Sequence, residues 1–261
     1  MINTAYILET IRDIVIVIPI FLTILTISNF CRAYFAYKLG DDTPYDHGFV
    51  TLNPFAHVNV LNLAAFVIFL IPLIPLLGGK MAQLLLLSTF IAASCHLSYL
   101  APISVYNFRN PKRGALIYAF AVSFGYLLLA FIAGIIIMLS FIKSLPVGVA
   151  VTLRTLSANL MHVALTWALI ELLPIPPFHA GRSLITLLPE EQEHIGDFLT
   201  HYQMITVMLL FFCPVLSDWF FGTIKIMVTQ IQWLFFMGMG WMLVGFDLLY
   251  KWIVTTISLL F

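Results

Sequence analysis

The sequence contains very little charge. Its 261 residues include 12 Lys and Arg and 12 Asp and Glu, which together make up 9% of the chain. Soluble domains carry about 25% charged residues, so this composition excludes an ordinary soluble protein. The two signs balance to zero net charge and the basic residues are scattered, so we expect no nucleic-acid partner. With 62% hydrophobic residues, the chain is predicted to be an integral membrane protein in contact with the lipid bilayer.

Cysteine is scarce as well. The three cysteines lie in apolar segments without CxxC spacing; they are Cys31, Cys95 and Cys213. This pattern excludes a disulfide framework and favours small core side chains. Residues 1–13 lack a basic region and a small-residue cleavage site, so we expect the first apolar segment to be retained rather than removed as a signal peptide.

Long apolar runs predict several membrane-crossing helices. The predicted segments are residues 11–37, 58–77, 81–100, 116–142, 149–173, 202–222 and 231–259. Residues 81–100 form either an added span or a re-entrant element. The fold prediction is an all-α polytopic membrane protein with one membrane-embedded domain over residues 1–261. Its core covers about residues 11–200, and C-terminal transmembrane helices occupy about residues 202–261.

A polar half-turn follows the first apolar run. Residues 14–27 are too few for a lipid-exposed crossing, which takes about 20 residues, and Ser28, Asn29 and Arg32 come directly after them. Ser28 and Arg32 are four residues apart and therefore share a helix face. Polar groups at membrane depth must face protein or water, so we expect this half-turn to be buried among helices.

Four blocks, in order, resemble the site-2 protease family of intramembrane zinc metalloproteases. The blocks are AYFAYKLGD at 33–41, TLNPFAH at 51–57, NFRNPKRG at 107–114 and LLPIPPFHAGR at 172–182. They correspond in that family to the end of the HExxH helix, the TLNP segment, the NFRNP stretch and the LLPIPPLDGG motif. The resemblance covers about residues 20–200. It implies a bundle of about six transmembrane helices with a possible extra or re-entrant segment.

The positions of the family's catalytic residues carry other side chains here. The two histidine ligands correspond to Ser28 and Arg32, and the general base corresponds to Asn29. The aspartate ligand corresponds to His179, and the asparagine before LLP corresponds to Glu171. Arginine cannot lose its proton to become a ligand. The resemblance therefore implies a degenerate centre with no intact catalytic residue, no metal and no zinc cofactor, and we hypothesise that Arg32 replaces the cation with Glu171 as its counter-charge.

Two proline-containing loops are implied as the walls of a substrate cavity. The residues assigned to substrate binding are Asn53, Pro54, Pro174, Pro176 and Pro177. The later prolines predict a non-helical backbone. Residues 49–52 are predicted to be extended, and in the resembling proteases a strand near here pairs with unwound substrate. The simpler interpretation of this stretch is a packed connecting loop.

Three functions stay open at this point. The first is a pseudoprotease of the bacterial inner membrane that binds or regulates transmembrane helices of partner proteins. The second is an active intramembrane zinc metalloprotease with non-standard ligands drawn from His179, Cys31, Glu171, His57 or His96. Cys31, however, points about 100° away from Arg32 on the helix. The third is a small-solute transporter, against which the lack of a visible inverted repeat speaks.

Overall fold

The computed structural model describes residues 4–57, 103–141, 145–176, 178–203, 205–206, 209 and 213–260. All regular elements in these ranges are helical, which confirms the predicted all-α class. Residues 49–52 form bends and irregular backbone rather than the predicted extended piece. The predicted segments 58–77 and 81–100, with Cys95 and His96, lie outside the described residues, as does Pro177.

The helices differ widely in length. In chain order they are α1 (Thr4–Leu39), α2 (Thr43–Asp46), α3 (Pro54–His57), α4 (Pro111–Leu139), α5 (Val147–Glu171), α6 (His179–Ile185), α7 (Glu193–His201) and α8 (Pro214–Leu260). Short 3₁₀ turns occupy Val105–Asn107 and Glu190–Gln192. The predicted first helix over 11–37 corresponds to α1, and the predicted segments 116–142 and 149–173 correspond to α4 and α5.

Three stretches of the described residues are long and apolar enough to cross a membrane. They are Pro111–Leu139, Val147–Glu171 and Val215–Gly240, with mean hydropathies of 2.5, 1.2 and 1.3. One side of α4 exposes large apolar residues such as Phe120, Phe124 and Phe131. A helix surface of this kind is compatible with lipid contact, and the three apolar helices are compatible with the predicted membrane protein.

The C-terminal part differs from its prediction. We expected two helices, 202–222 and 231–259, but α8 runs without interruption over 47 residues from Pro214 to Leu260. The predicted break is wrong because residues 223–230 contain neither proline nor glycine and therefore nothing that would end a helix. At about 1.5 Å per residue, α8 is about 70 Å long. Within the part of α8 whose side chains are described, up to residue 240, the candidate span is Val215–Gly240.

The apolar core lies where α1, α4, α5 and α8 meet. α4 packs along α5 and also contacts α1 and α6. The fully buried side chains come from all four long helices; among them are Ile24, Val122, Met161, Ile170 and Val228. Gly125 of α4 lets α1 approach closely, because an added Cβ there would overlap the Cys31 thiol. Cys31 is thus a buried core side chain, as predicted.

Asp41 fixes the end of α1. Its side chain is 1% exposed and accepts hydrogen bonds from the backbone N (3.2 Å) and Oγ1 (2.6 Å) of Thr43, from Ser104 N (2.9 Å) and from Asn107 Nδ2 (3.1 Å). Burial works to raise the pKa of this carboxyl. The hydrogen bonds together outweigh burial and hold its pKa below the ordinary value.

The backbone next to Asp41 also contacts the segment that precedes α4. Leu39 O accepts a hydrogen bond from Arg109 N at 2.9 Å. Gly40 adopts φ 115°, a conformation that favours glycine, and an added Cβ would lie 2.9 Å from Arg109 Cγ. The structure therefore joins the LGD end of the first resembling block to the NFRNP block. We call Asp41, Thr43, Ser104 and Asn107 the Asp41 junction.

Candidate functional site

The five positions that the resemblance assigns to the centre come from three helices. Ser28, Asn29 and Arg32 lie on α1, Glu171 is the last residue of α5, and His179 is the first residue of α6. We call these five residues the Arg32 cluster. The positive charge of Arg32 acts on both Glu171 and His179. The fold therefore brings the end of α5 and the start of α6 close to α1. Residues more than a hundred positions apart in sequence thus form one site.

The half-turn of α1 is buried, as predicted. Ser28 is 8% exposed and Asn29 is 2% exposed, while Arg32 is half-buried. Two hydrogen-bond donors of this half-turn, Asn29 Nδ2 and Arg32 Nε, are buried without an acceptor among the described residues. Buried donors without a partner are uncommon because each costs about 1–3 kcal/mol. Among the described residues, His57 Nδ1, Ser123 Oγ and His179 Nε2 are also buried without a partner, so the half-turn supplies two of five such atoms.

Glu171 pairs with His179 rather than directly with Arg32. Glu171 Oε2 accepts hydrogen bonds from the backbone N (3.0 Å) and from Nδ1 (2.7 Å) of His179. The two donors belong to the first residue of α6, where a carboxylate is favoured by the helix N-terminus. Among the described residues Arg32 forms no ion pair with Glu171. Glu171, the hypothesised counter-charge of Arg32, is therefore already hydrogen-bonded to His179. Arg32 affects Glu171 through the electrostatic interaction of their charges.

The protonation state of His179 follows from its surroundings. Burial and then the charge of Arg32 lower the pKa of His179, and together they outweigh the opposing effect of Glu171. The ring is therefore neutral near pH 7, and Nδ1 carries the proton because Glu171 can only accept it. The other nitrogen, Nε2, is buried and has no hydrogen-bond partner among the described residues. The His179 and Tyr118 rings lie 5.9 Å apart between centroids in an edge-to-face arrangement.

The donor chemistry of the cluster does not fit a zinc ion. A catalytic zinc site uses about three protein ligands that are deprotonated nitrogen, sulfur or carboxylate groups. The cluster offers one imidazole nitrogen and one carboxylate that is already hydrogen-bonded to the same imidazole. The nearby guanidinium would repel a divalent cation. Within the described residues, no group of three or more His, Cys, Asp or Glu is placed to hold a metal.

The first predicted substrate loop forms a self-contained turn. Asn53 Oδ1 accepts a hydrogen bond from Phe55 N (3.1 Å), and Thr51 Oγ1 accepts one from Asn53 N (3.2 Å). Pro54 is the first residue of α3. His57 Nε2 is 2.7 Å from Thr51 O, and the ring is fully buried. These contacts agree with the interpretation of this stretch as a packed connecting loop. The side chain of Asn53 accepts a hydrogen bond at the start of α3.

The second predicted loop closes the site between α5 and α6. The described residues from Leu173 to Pro176 are non-helical, as the prolines predict; Pro174 is exposed and Pro176 is buried. Gly181 of α6 lies directly against the backbone of Ile175, where an added Cβ would overlap the peptide group. The Glu171–His179 pair and this close approach together hold the loop against α6.

Sequence reasoning missed two neighbours of the cluster. Tyr126 of α4 is buried next to Ser28, and Arg182 of α6 adds a second positive charge that acts on His179. Tyr126 is one of three hydroxyl-bearing residues of α4, with Tyr118 and Ser123, and nothing in the sequence distinguished it from them. Arg182 entered the sequence argument only as the last residue of the LLPIPPFHAGR block, and the fold brings its charge into interaction with that of Arg32.

The chain matches no protein-family model, no curated protein and no solved structure. Its function is therefore inferred from the residues of the site and from their geometry. The most specific features of that geometry are the Glu171–His179 pair and the unmatched donors of α1.

Proposed function

We propose that this protein is a catalytically inactive, site-2-protease-like membrane protein that binds or regulates transmembrane segments of membrane partners without cutting them. One observation carries the proposal. A buried polar centre combines the guanidinium of Arg32 with a His179 ring whose Nδ1 is committed to Glu171. Hydrolysis in the resembling family needs a metal-polarised water and a general base. A permanent positive charge and an amide at those positions supply neither.

The features that support binding are separate from those that argue against cleavage. The site lies at one end of the packed helices, between α1, α4, α5 and α6. It contains polar atoms that the described fold does not satisfy. A polar site with unused hydrogen-bonding capacity at membrane depth is a functional candidate by default. We also propose the family's bundle of about six helices and a multi-pass location in the bacterial inner membrane.

A binding and cleavage assay tests the proposal. The purified full chain in lipid nanodiscs is mixed with a fluorescently labelled transmembrane peptide, with added zinc or with a chelator. We expect energy transfer that reports binding and no peptide fragments under either condition. Fragment formation that the chelator abolishes would overturn the proposal. Absence of binding to a panel of transmembrane peptides would contradict the proposed binding of transmembrane segments.

One observation favours the active metalloprotease as a second candidate. A histidine that binds metal almost always donates its other ring N–H to a carboxylate or carbonyl, and His179 donates in this way to Glu171. Metal analysis of the purified protein separates the candidates. The pseudoprotease predicts no zinc above the level of a His179→Ala variant. About one zinc ion per chain in the unmodified protein, lost in that variant, would favour the metalloprotease.

A further inference from the structure

The two unmatched donors of α1 lie on one face of the helix. Asn29 and Arg32 are three residues apart, a spacing that places their side chains side by side. Asn29 Nδ2 and Arg32 Nε are both buried, and neither has an acceptor among the described residues. A single group with acceptor oxygens could receive hydrogen bonds from both. Arg32 is half-buried, so the pair borders the outside of the helix bundle.

The charge of the surroundings selects the kind of acceptor. Arg32 is half-buried and Arg182 is exposed, and their two positive charges act on each other. Glu171 brings one negative charge, and its Oε2 already accepts two hydrogen bonds from His179. Among the described residues, therefore, the half-buried charge of Arg32 has no ion-pair partner. An uncompensated charge in a low-dielectric region is costly, which favours an anionic acceptor over a neutral one.

Planar carboxylates fit this requirement well. A guanidinium recognises carboxylates through parallel hydrogen bonds, and an amide N–H₂ adds a further donor. The position on α1 directly follows an apolar run, so the acceptor has to arrive at or near membrane depth. Acidic residues within transmembrane segments carry a carboxyl group at that depth and themselves require a polar partner.

We propose that Asn29 and Arg32 form a recognition site for the carboxylate of an Asp or Glu side chain in the transmembrane helix of a partner protein. This inference rests on the proposed function and narrows it from transmembrane segments in general to those with an acidic residue. The partner's helix lies against the bundle on the side where Arg32 reaches the surface, and its carboxylate accepts hydrogen bonds from both donors.

The test compares three model peptides and three variants of the full chain in lipid nanodiscs. The peptides are leucine-rich transmembrane helices with one Asp, one Asn or one additional Leu, placed at several depths. Binding is measured by energy transfer to a label on the protein. We expect the Asp peptide to bind at least about tenfold more tightly than the Asn and Leu peptides at the best depth. Arg32→Met removes this preference.

The control variants make the result specific to the site. Arg113→Met removes an exposed cation at the start of α4 and keeps the preference for Asp. Asn29→Leu weakens the preference without changing the formal charge, and it serves as a second variant if Arg32→Met does not fold. A competing fatty acid identifies a lipid source of the carboxylate. Fatty-acid competition together with no Asp preference among the peptides would overturn the partner-helix proposal.

The remaining outcomes separate this inference from the proposed function. If all three peptides bind equally well, the chain binds transmembrane helices without recognising a carboxylate, and water satisfies the two donors. The carboxylate proposal is then wrong, whereas the proposed function stands. If the Asn peptide binds as tightly as the Asp peptide, the site recognises polarity rather than charge, and the proposal is wrong. If no peptide binds at all, the proposed function fails together with the inference.

Discussion

The Asp41 junction and the Arg32 cluster lie on the same helix and use polar groups in opposite ways. At the junction, one buried carboxylate accepts four hydrogen bonds from three residues. In the cluster, three buried polar atoms have no partner among the described residues; they are Asn29 Nδ2, Arg32 Nε and His179 Nε2. The polar groups of the junction join distant chain segments by hydrogen bonds, whereas these three atoms of the cluster form no hydrogen bond with the described residues.

The difference indicates distinct roles for the two regions. Buried polar groups in native proteins are normally satisfied because an unpaired group costs free energy of folding. A fully paired site such as the junction serves the fold itself. Unpaired groups persist where an external group completes them, which is the role that we infer for the cluster. The following substitutions test whether stability and binding divide between the regions in this way.

The largest loss of stability is expected at the junction. Asp41→Ala leaves Ser104 N, Asn107 Nδ2 and Thr43 N without their acceptor, and we expect the free energy of unfolding to fall by about 3 kcal/mol or more. Thermal unfolding of the purified protein in detergent measures the change. Asp46→Ala, at an exposed site of α2, is the control and changes stability by less than about 0.5 kcal/mol. Equal losses in the two variants would contradict the assigned role of Asp41.

A slightly smaller loss is expected where the proline loop meets α6. In Gly181→Ala the new methyl group overlaps the peptide backbone of Ile175, which cannot move aside as a flexible side chain would. We expect a destabilisation of about 2–3 kcal/mol in the same thermal assay. Gly148→Ala on α5 is the matched control, since nothing lies within 4 Å of its added Cβ. Unchanged stability of Gly181→Ala would show that the loop is not held against α6.

The cluster itself is expected to tolerate loss of its charge. Arg32→Met removes no ion pair and no paired donor among the described residues, so stability stays within about 1 kcal/mol of the unmodified protein or rises. Arg154→Met is the contrasting variant. Arg154 donates hydrogen bonds from Nε to Ser140 Oγ (3.0 Å) and from Nη2 to Ser140 O (3.1 Å), and its loss should cost about 1–3 kcal/mol. A larger loss for Arg32→Met than for Arg154→Met would reverse the comparison.

The smallest effect is a change in the pH dependence of stability. The pKa of Asp41 is lower in the folded protein than in the unfolded chain, so the unfolded state binds more protons in acid. The stabilisation by Asp41 is complete above the unfolded pKa of about 4 and is lost as the pH falls through the lower folded pKa. Unfolding temperatures measured between about pH 6 and pH 3 should fall less steeply in Asp41→Asn. The exposed variant Asp46→Asn should keep the full slope.

The outline of the helices was predictable because long apolar runs have few alternatives in a membrane. The segments 116–142 and 149–173 match α4 and α5 closely, and the prolines at 174 and 176 mark the loop that follows. The predicted break between 222 and 231 was wrong, because isolated polar residues do not end a helix without a breaker or a competing contact. Residues 49–52 were wrongly expected to be extended, because Phe49 N bonds to Pro44 O in a turn and Thr51 pairs with Asn53 and His57.

The sequence predicted five positions of the site, but neither their internal pairing nor the neighbours Tyr126 and Arg182. The aligned blocks indicated Ser28, Asn29, Arg32, Glu171 and His179, whereas the choice between Arg32 and His179 as partner of Glu171 depends on distances that a sequence does not contain. The two donors of His179 reach Glu171 because α6 begins where the loop returns to the end of α5.

Composition and periodicity alone determined that this chain is helical, apolar and suited to a bilayer, because burial of apolar surface and internal backbone pairing act locally along the chain. Only the tertiary structure decided which polar atoms find partners, because hydrogen bonds and charge interactions between distant segments depend on where the helices place them. It joined Asp41 to Ser104 and Asn107, paired Glu171 with His179, and left one donor each of Asn29 and Arg32 without an acceptor among the described residues.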